Sequence, residues 1–300
     1  SDVRATTDAA RGGKRLISWR SQAILTSEGR PLGECRLQTG VFMGVDFDSD
    51  LGKLQRLMAE SIAGTTRRNA ILSELQIEPG DTIIDVGCGA GHLLTHLAKA
   101  VGSNGKVYGL DPSKSQIDQA NLRCLEFENV ELMERNADNS QLQNDCCHSA
   151  TSTQALEYIP DVDLALDEIT RILKPGGAFV NVSILWEHFK FFGADQKLNE
   201  KIHDSFRAHC SHQMLPMELP GKLERLGFKN VKGKSLAFVI TRRDRNSPAR
   251  YTEDLMANFA LTQGVSKEEV SDWKSQLEKA EQEGRFGFTS FPVMTSGYLG

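Results

Sequence analysis

The 300-residue chain has six cysteines, Cys35, Cys88, Cys124, Cys146, Cys147 and Cys210, but no two of them at the C-x-x-C spacing of a zinc site. Cys146 and Cys147 are adjacent, and neighbouring cysteines rarely bridge each other. Reduced thiols in a cytoplasmic setting are therefore expected, with no metal centre. Long apolar runs are missing too, and none approaches the roughly 18 residues a membrane span needs. Positive charge is not in excess: 35 Lys and Arg against 40 Asp and Glu leave a formal net charge of −5. That balance carries no electrostatic footprint for nucleic acid or an anionic membrane surface. There is no internal repeat and no low-complexity tract. The first residues, SDVRATTDAARGGKRL, lack the apolar stretch of a secretory signal and read as a processed or flexible tail, with a transit-peptide remnant as the alternative. What is present is an ordinary globular composition, 39% hydrophobic and 25% charged. The length suits one large α/β domain with additions, or two small domains, with a core that needs no staples.

Residues 1–50 are weakly patterned, and QTGVFMGVDFDSD (38–50) reads as an ordered loop or a lid. From Leu51 the apolar residues recur at helical spacing through Leu54, Met58, Ile62, Ile71, Leu72 and Leu75, and Gly64 is expected to split this stretch into two helices. EPGD is a turn, and TIIDVG is a short β-branched run, the mark of a buried strand. Strands then alternate with helices. KVYGLD (106–111), NVELMERNA (129–137), CCHSATSTQ (146–154) and AFVNVSIL (178–185) read as strands. GHLLTHLAKAV, SKSQIDQANLRCLEF with Ser113 as N-cap, and DVDLALDEITRILKPGG read as helices. This rhythm predicts right-handed βαβ units and a parallel sheet. Past residue 186 it changes: two helical stretches, the second opening on a proline in MELPGKLERLGF, a strand over 231–243, two more helical stretches, and an aromatic close from 285 to 300.

The stretch DVGCGAGHL (85–93) carries the chemistry. A strand ends in Asp85, the chain turns through Gly87, Gly89 and Gly91, and a helix opens with free amides and a positive dipole end. Glycines let a ligand approach the backbone closely. Dinucleotide sites use GxGxxG, whereas here the spacing is GxGxG and His92 stands in the slot of the third fingerprint glycine. Asp85, two residues ahead of the first glycine, would repel a pyrophosphate but would hold an ammonium. The ligand that fits is a nucleoside with a cationic or zwitterionic tail. Asp111 ends the next strand, where a carboxylate can accept both hydroxyls of a ribose. Taken singly, each residue has a plain reading as a cap or a tight turn. In order, on successive strand ends, they read as a nucleoside site.

These motifs resemble the class I S-adenosylmethionine-dependent methyltransferases. DVGCGAG is similar to their first motif, YGLDPS to the acidic motif of the second strand, RNA (135–137) to that of the third, and LKPGG (173–177) to the turn before the fifth. STQALEYIPDVDLALDEITRILKPGG resembles the branch of ubiquinone and menaquinone C-methyltransferases and small-molecule methyltransferases. The likeness covers about residues 65–185. It implies a doubly wound, seven-stranded, mostly parallel Rossmann-like sheet and S-adenosyl-L-methionine as cofactor, with S-adenosyl-L-homocysteine as product. It implies Asp85 and Gly87 at the methionine moiety, Gly89 and Gly91 in the loop, and Asp111 with Pro112 at the ribose. Gln116, Asn136 and Ala137 would meet the adenine, and Ser152 is a further cofactor-side candidate. His148 departs from the branch, which has an aspartate there.

A sulfonium is a strong electrophile, so methyl transfer needs mainly alignment and exclusion of water, with a base where the acceptor must lose a proton. Candidates follow the fourth and fifth strands: Gln154, Glu157, Tyr158, Trp186, Glu187 and His188. Of these His188, Glu187 and Tyr158 are taken as catalytic candidates. His188 also has a structural reading as a solvated or capping histidine, and Tyr158 as a helix-packing tyrosine. The domains expected are an extension or lid over 1–50, a cofactor-binding core over 51–243 with a helical insertion near 190–225, and C-terminal helices with a final strand over 244–300 that cap an acceptor pocket. The acceptor expected is small and mostly apolar, a secondary metabolite or a prenylated or aromatic ring, with no nucleic acid as partner. Three alternatives stay open: a regulatory protein that binds the cofactor without turnover, an arsenite methyltransferase, and a nicotinamide-dependent oxidoreductase. The GxGxG spacing and Asp85 speak against the last. The absence of cysteine at Ser152-Thr153-Gln154 speaks against arsenite.

Overall fold

The computed structural model describes residues 24–25, 31–32, 56–244 and 247–300. The chain divides into two units, Ser1–Gln38 and Thr39–Gly300. In the first, the described residues form one antiparallel pair, Ile24–Leu25 with Pro31–Leu32. The second carries the sheet and the candidate site. The proposed lid over 38–50 and the helical leucines Leu51 and Leu54 lie outside the described residues.

Five parallel strands form the frame: β1 (Thr82–Val86), β2 (Lys106–Asp111), β3 (Val130–Glu134), β4 (Cys147–Thr153) and β5 (Leu173–Ile184). With β7 (Phe228–Ser235) and β10 (Pro292–Leu299) they make one seven-stranded sheet in the order β3-β2-β1-β4-β5-β10-β7. β10 runs antiparallel to both its neighbours, β5 and β7. The doubly wound, mostly parallel sheet expected from the alternating pattern is the one observed. Neighbouring residues of a strand serve opposite faces, so Ile83 and Ile84, both fully buried, fall into different cores. On one face lie α1 (Ile62–Leu75), α2 (Leu94–Val101) and α3 (Lys114–Arg123). On the other lie α4 (Val162–Ile172) and α6 (Leu215–Arg225).

A third apolar core lies beyond the end of β5, whose last residue, Ile184, joins it. It joins α5 (Gln196–Phe206), α7 (Pro248–Thr262) and α8 (Lys267–Gln282) to a small antiparallel sheet of β8 (Phe238–Ile240), β9 (Gly287–Ser290) and β6 (Lys190–Phe192). Trp273, Phe191 and Phe288 are fully buried in it. This helical addition beyond residue 186 also takes strands from the 231–243 and 285–300 stretches. The expected strand over 231–243 is two strands in two sheets, with Leu236 and Ala237 as the joint. The aromatic close likewise splits: Gly287–Ser290 goes to the small sheet, and only Pro292–Leu299 enters the large one.

Three local expectations are corrected. The helix break falls at Ser61, not Gly64: residues 56–60 are helical, and Ser61 caps α1 by accepting from the Gly64 amide. Gly64 still has a cause, because a Cβ there would lie 2.1 Å from the Ala59 carbonyl oxygen. The helix assigned to a proline start at Pro220 begins at Leu215, with Pro216 in its first turn and Pro220 inside it. Finally, β5 starts at Leu173 and absorbs Pro175, Gly176 and Gly177, where a turn was expected.

Candidate active site

β1 delivers the glycine loop to the carboxyl edge of the sheet. Asp85 pairs in register with Gly109 of β2 on one side and Thr151 of β4 on the other. Gly87, Gly89 and Gly91 all take left-handed backbone, at φ +75°, +51° and +78°, a region that other residues enter at a cost. The Gly87 and Cys88 amides both donate to the Leu110 carbonyl, at 2.7 and 3.0 Å. A Cβ on Gly87 would lie 2.1 Å from the Cβ of Ala155, and one on Gly91 would lie 3.1 Å from that of Ala120. The loop is thus wedged between the end of β2, the segment after β4 and α3.

Two carboxylates flank it. Asp111 is buried at the end of β2; its Oδ2 accepts from the Gly89 amide and its Oδ1 from the Ser113 amide, both at 2.9 Å. A carboxylate held in this way at the end of a strand is the kind of group that recognises a ribose diol. Asp85 is 2% exposed, and its Oδ1 has no hydrogen-bond partner. Burial, and then the nearby Asp111 charge, push its carboxyl up to about 7. A buried carboxyl without a partner is costly, and a ligand ammonium would relieve it. Gln116 is buried, with its Oε1 3.7 Å from where a Gly89 Cβ would stand. Its amide is capped by Ser113.

Pro112 and Asn136 are exposed and Ala137 is half-buried. The Arg135 amide donates to the Asp111 carbonyl at 3.2 Å, which brings the third-strand motif beside the second. Ser152 is fully buried with an unpartnered Oγ, as are the Oγ1 atoms of Thr151 and Thr153, so β4 ends in three hydroxyls without protein partners. His148 lies inside β4. It accepts from the Thr82 amide at 2.8 Å and meets Lys174 Nζ at 2.7 Å, which ties together the opposite, amino-terminal edge of the sheet. Cys146 and Cys147 stand at that same end, with Sγ atoms 3.7 Å apart. Among the described residues no group of His, Cys, Asp and Glu is placed to hold a metal ion.

The three catalytic candidates differ in exposure. Glu187 and His188 are exposed on a short helical turn, Trp186–His188; Glu187 meets Arg207 at 3.4 Å, and the His188 ring rests near Phe291. Tyr158 is half-buried, edge-on to the His209 ring at 5.9 Å, and its hydroxyl is held well above its usual range by burial and then by Glu157. Trp186 is 8% exposed and packs against Phe189, Phe206 and His209, as a wall residue does.

Two buried charged residues carry more of the site than the sequence reading allowed. Glu157 has no exposed surface; its Oε2 accepts from Ser183 Oγ at 2.8 Å and its Oε1 from the Ile184 amide at 3.4 Å. Burial pushes its carboxyl up to about 7, against those hydrogen bonds and Arg67. Arg67 of α1 is 5% exposed. The sign that could have exposed it is positional. Ala63, Arg67, Ile71 and Leu75 recur every four residues, so Arg67 interrupts the buried face of its own helix.

A family model described as a methyltransferase domain matches residues 77–279. The demethylmenaquinone methyltransferase of Bacillus mycoides (strain KBAB4) is 34% identical over 190 residues, 58% of this chain and 80% of that one. The chain spans about half the length of other curated relatives it matches, 48% of one and 47% of another. The crystal structure of the YcgJ protein of Bacillus subtilis shares the fold, at a TM-score of 0.55 and 17% identity, covering 77% of this chain and 97% of that one. The geranyl diphosphate C-methyltransferase of Streptomyces coelicolor A3(2), crystallised with S-adenosyl-L-homocysteine, follows at 0.50 and 16%, covering 79% and 76%. With its glycine loop set between Asp85 and Asp111 and the family match spanning most of its length, the chain belongs to the class I S-adenosylmethionine-dependent methyltransferases.

Proposed function

We propose that this chain transfers a methyl group from S-adenosylmethionine to a small, mostly apolar acceptor bearing an aromatic or prenylated ring. The observation that carries the reading is the left-handed glycine loop between the buried Asp85, whose Oδ1 is unpartnered, and Asp111, which accepts from the Gly89 and Ser113 amides. Asp85 would hold the ammonium of the amino-acid tail, Asp111 the ribose hydroxyls, and Gln116 with Asn136 and Ala137 the adenine. The bound cofactor supplies an electrophilic methyl group. The chain itself aligns the acceptor, excludes water and moves the acceptor's proton.

Support for a ring acceptor comes from the Bacillus relative, named for demethylmenaquinone, and from the aromatic third core, which offers apolar walls. No helix among the described residues is long and apolar enough to cross a membrane. Calorimetry with S-adenosylhomocysteine, with NADH as control, tests the cofactor. Transfer of labelled methyl to a prenylated naphthohydroquinone tests the acceptor class. Micromolar binding of the first ligand and none of the second is expected. Binding of NADH alone would overturn the reading, and cofactor binding without turnover on any acceptor would favour a regulatory role.

A further inference from the structure

The Arg67 side chain makes no hydrogen bond and no ion pair among the described residues, although the residue is only 5% exposed. A guanidinium carries five donors and stays charged, and buried ones are almost always paired. α1 lies along β5 and β10, with Ile71 and Leu75 packed on Val180, Val182 and Met294. Arg67 stands near the start of α1. The charged and titratable groups it feels are Glu157, Arg68 and Tyr158, with the attraction to Glu157 the largest of the three. That attraction does not close into a contact; the Glu157 carboxylate accepts instead from Ser183 Oγ and the Ile184 amide. Ala155, two residues before Glu157, touches the glycine loop. Glu157, whose charge attracts the cation most, belongs to that segment beyond β4, where an acceptor must lie to reach a cofactor on the loop.

We propose that Arg67 is the anion-holding residue of the acceptor subsite, with Glu157 as its proton-accepting neighbour, so that the protein selects acceptors with an acidic hydroxyl, a phenol or an enol. This rests on the methyl-transfer reading. In the proton step the acceptor's O–H bond breaks, a new O–H bond forms on a Glu157 carboxylate oxygen, and the electron pair stays on the acceptor oxygen beside the guanidinium. A carboxylate has about four acceptor sites, more than the hydrogen bonds Glu157 receives from Ser183, the Ile184 amide and its own backbone, so it retains a lone pair for that proton. Its raised carboxyl is suited to exchanging a proton with a phenol near neutral pH. Arg68, Tyr158 and Cys210 are the other titratable groups that act on the pair.

The test uses 4-nitrophenol, whose phenolate absorbs visible light, added to the full chain saturated with S-adenosylhomocysteine. Wild type is expected to bind the phenolate form and lower the probe's apparent pKa. Arg67→Gln should weaken that binding by at least about tenfold, the loss of one charge-assisted contact, while Arg67→Lys retains part of it. Affinity for S-adenosylhomocysteine should stay within about twofold in both, showing an intact fold. Arg67→Met, measured without ligand, should raise Tm, because it removes an uncompensated buried charge. A merely structural arginine would lower it. Phenolate binding unchanged in Arg67→Gln, or a fall in Tm for Arg67→Met, overturns the proposal while leaving the methyl-transfer reading in place. Failure of wild type to bind S-adenosylhomocysteine overturns both.

Discussion

Replacing Gly87 with alanine should be among the most damaging single-methyl changes in the chain. Two costs add. The backbone sits at φ +75°, and holding a Cβ there costs about 1–2 kcal/mol. The new Cβ would also lie 2.1 Å from that of Ala155, well inside contact distance, and overpacking of this kind costs about 1–3 kcal/mol. Together they give about 3 kcal/mol, which for a domain of this size lowers Tm by about 6–12 °C. Gly89→Ala is the matched control. Its φ is +51° but its Cβ would stand an ordinary 3.7 Å from Gln116 Oε1, so only the backbone cost of about 1–2 kcal/mol remains. The decisive assay is a double-mutant cycle by urea denaturation. Ala155→Gly removes the atom that Gly87→Ala would strike, and the double variant should recover about 1–3 kcal/mol relative to additivity. Equal losses for Gly87→Ala and Gly89→Ala, or no recovery with Ala155→Gly, would refute the claim that the segment after β4 clamps the loop.

Other expectations follow from the same geometry. Asp111→Ala strips the acceptor from the Gly89 and Ser113 amides, and calorimetry should show S-adenosylhomocysteine affinity falling at least about tenfold. Asp85 is an acid whose folded-state pKa is raised from 3.8 to about 7. The folded state therefore favours its protonated form, and the ligand-free chain loses stability as pH rises through that window. Asp85→Asn should abolish that share of the loss, read as a urea midpoint that falls less between about pH 4 and 7 than in wild type. Arg243, 7% exposed, meets Glu253 at 2.6 Å and Glu281 at 3.1 Å and so joins the start of α7 to α8. Arg243→Ala leaves Glu253 buried and unpaired and should destabilise the third core by about 3–5 kcal/mol, measured by amide exchange in α7 and α8.

The local code wrote much of this protein directly. The strand patterns that carry Asp85 and Asp111, three glycines at alternate positions, and Ser113 three residues before Gln116 each act through backbone sterics and capping. Those forces reach only a few residues, so strand ends, loop and cap were legible in the string. The alternation of strand and helix then set the handedness and the parallel order of the sheet, because only right-handed crossovers pack. Other features depended on distance in space. The strand pattern beyond residue 228 does not say which sheet receives it. Phe238–Ile240 and Gly287–Ser290 leave the main sheet for the third core because Phe191 and Phe288 need burial together. Glu187 and His188 look like a catalytic pair in the string, yet the turn that holds them faces solvent. Arg67 and Glu157 are ninety residues apart, and only the packing of α1 over β5 brings the cation towards the acid. Burial, which raises one pKa and lowers the other, is a property of that packing and of neither residue alone.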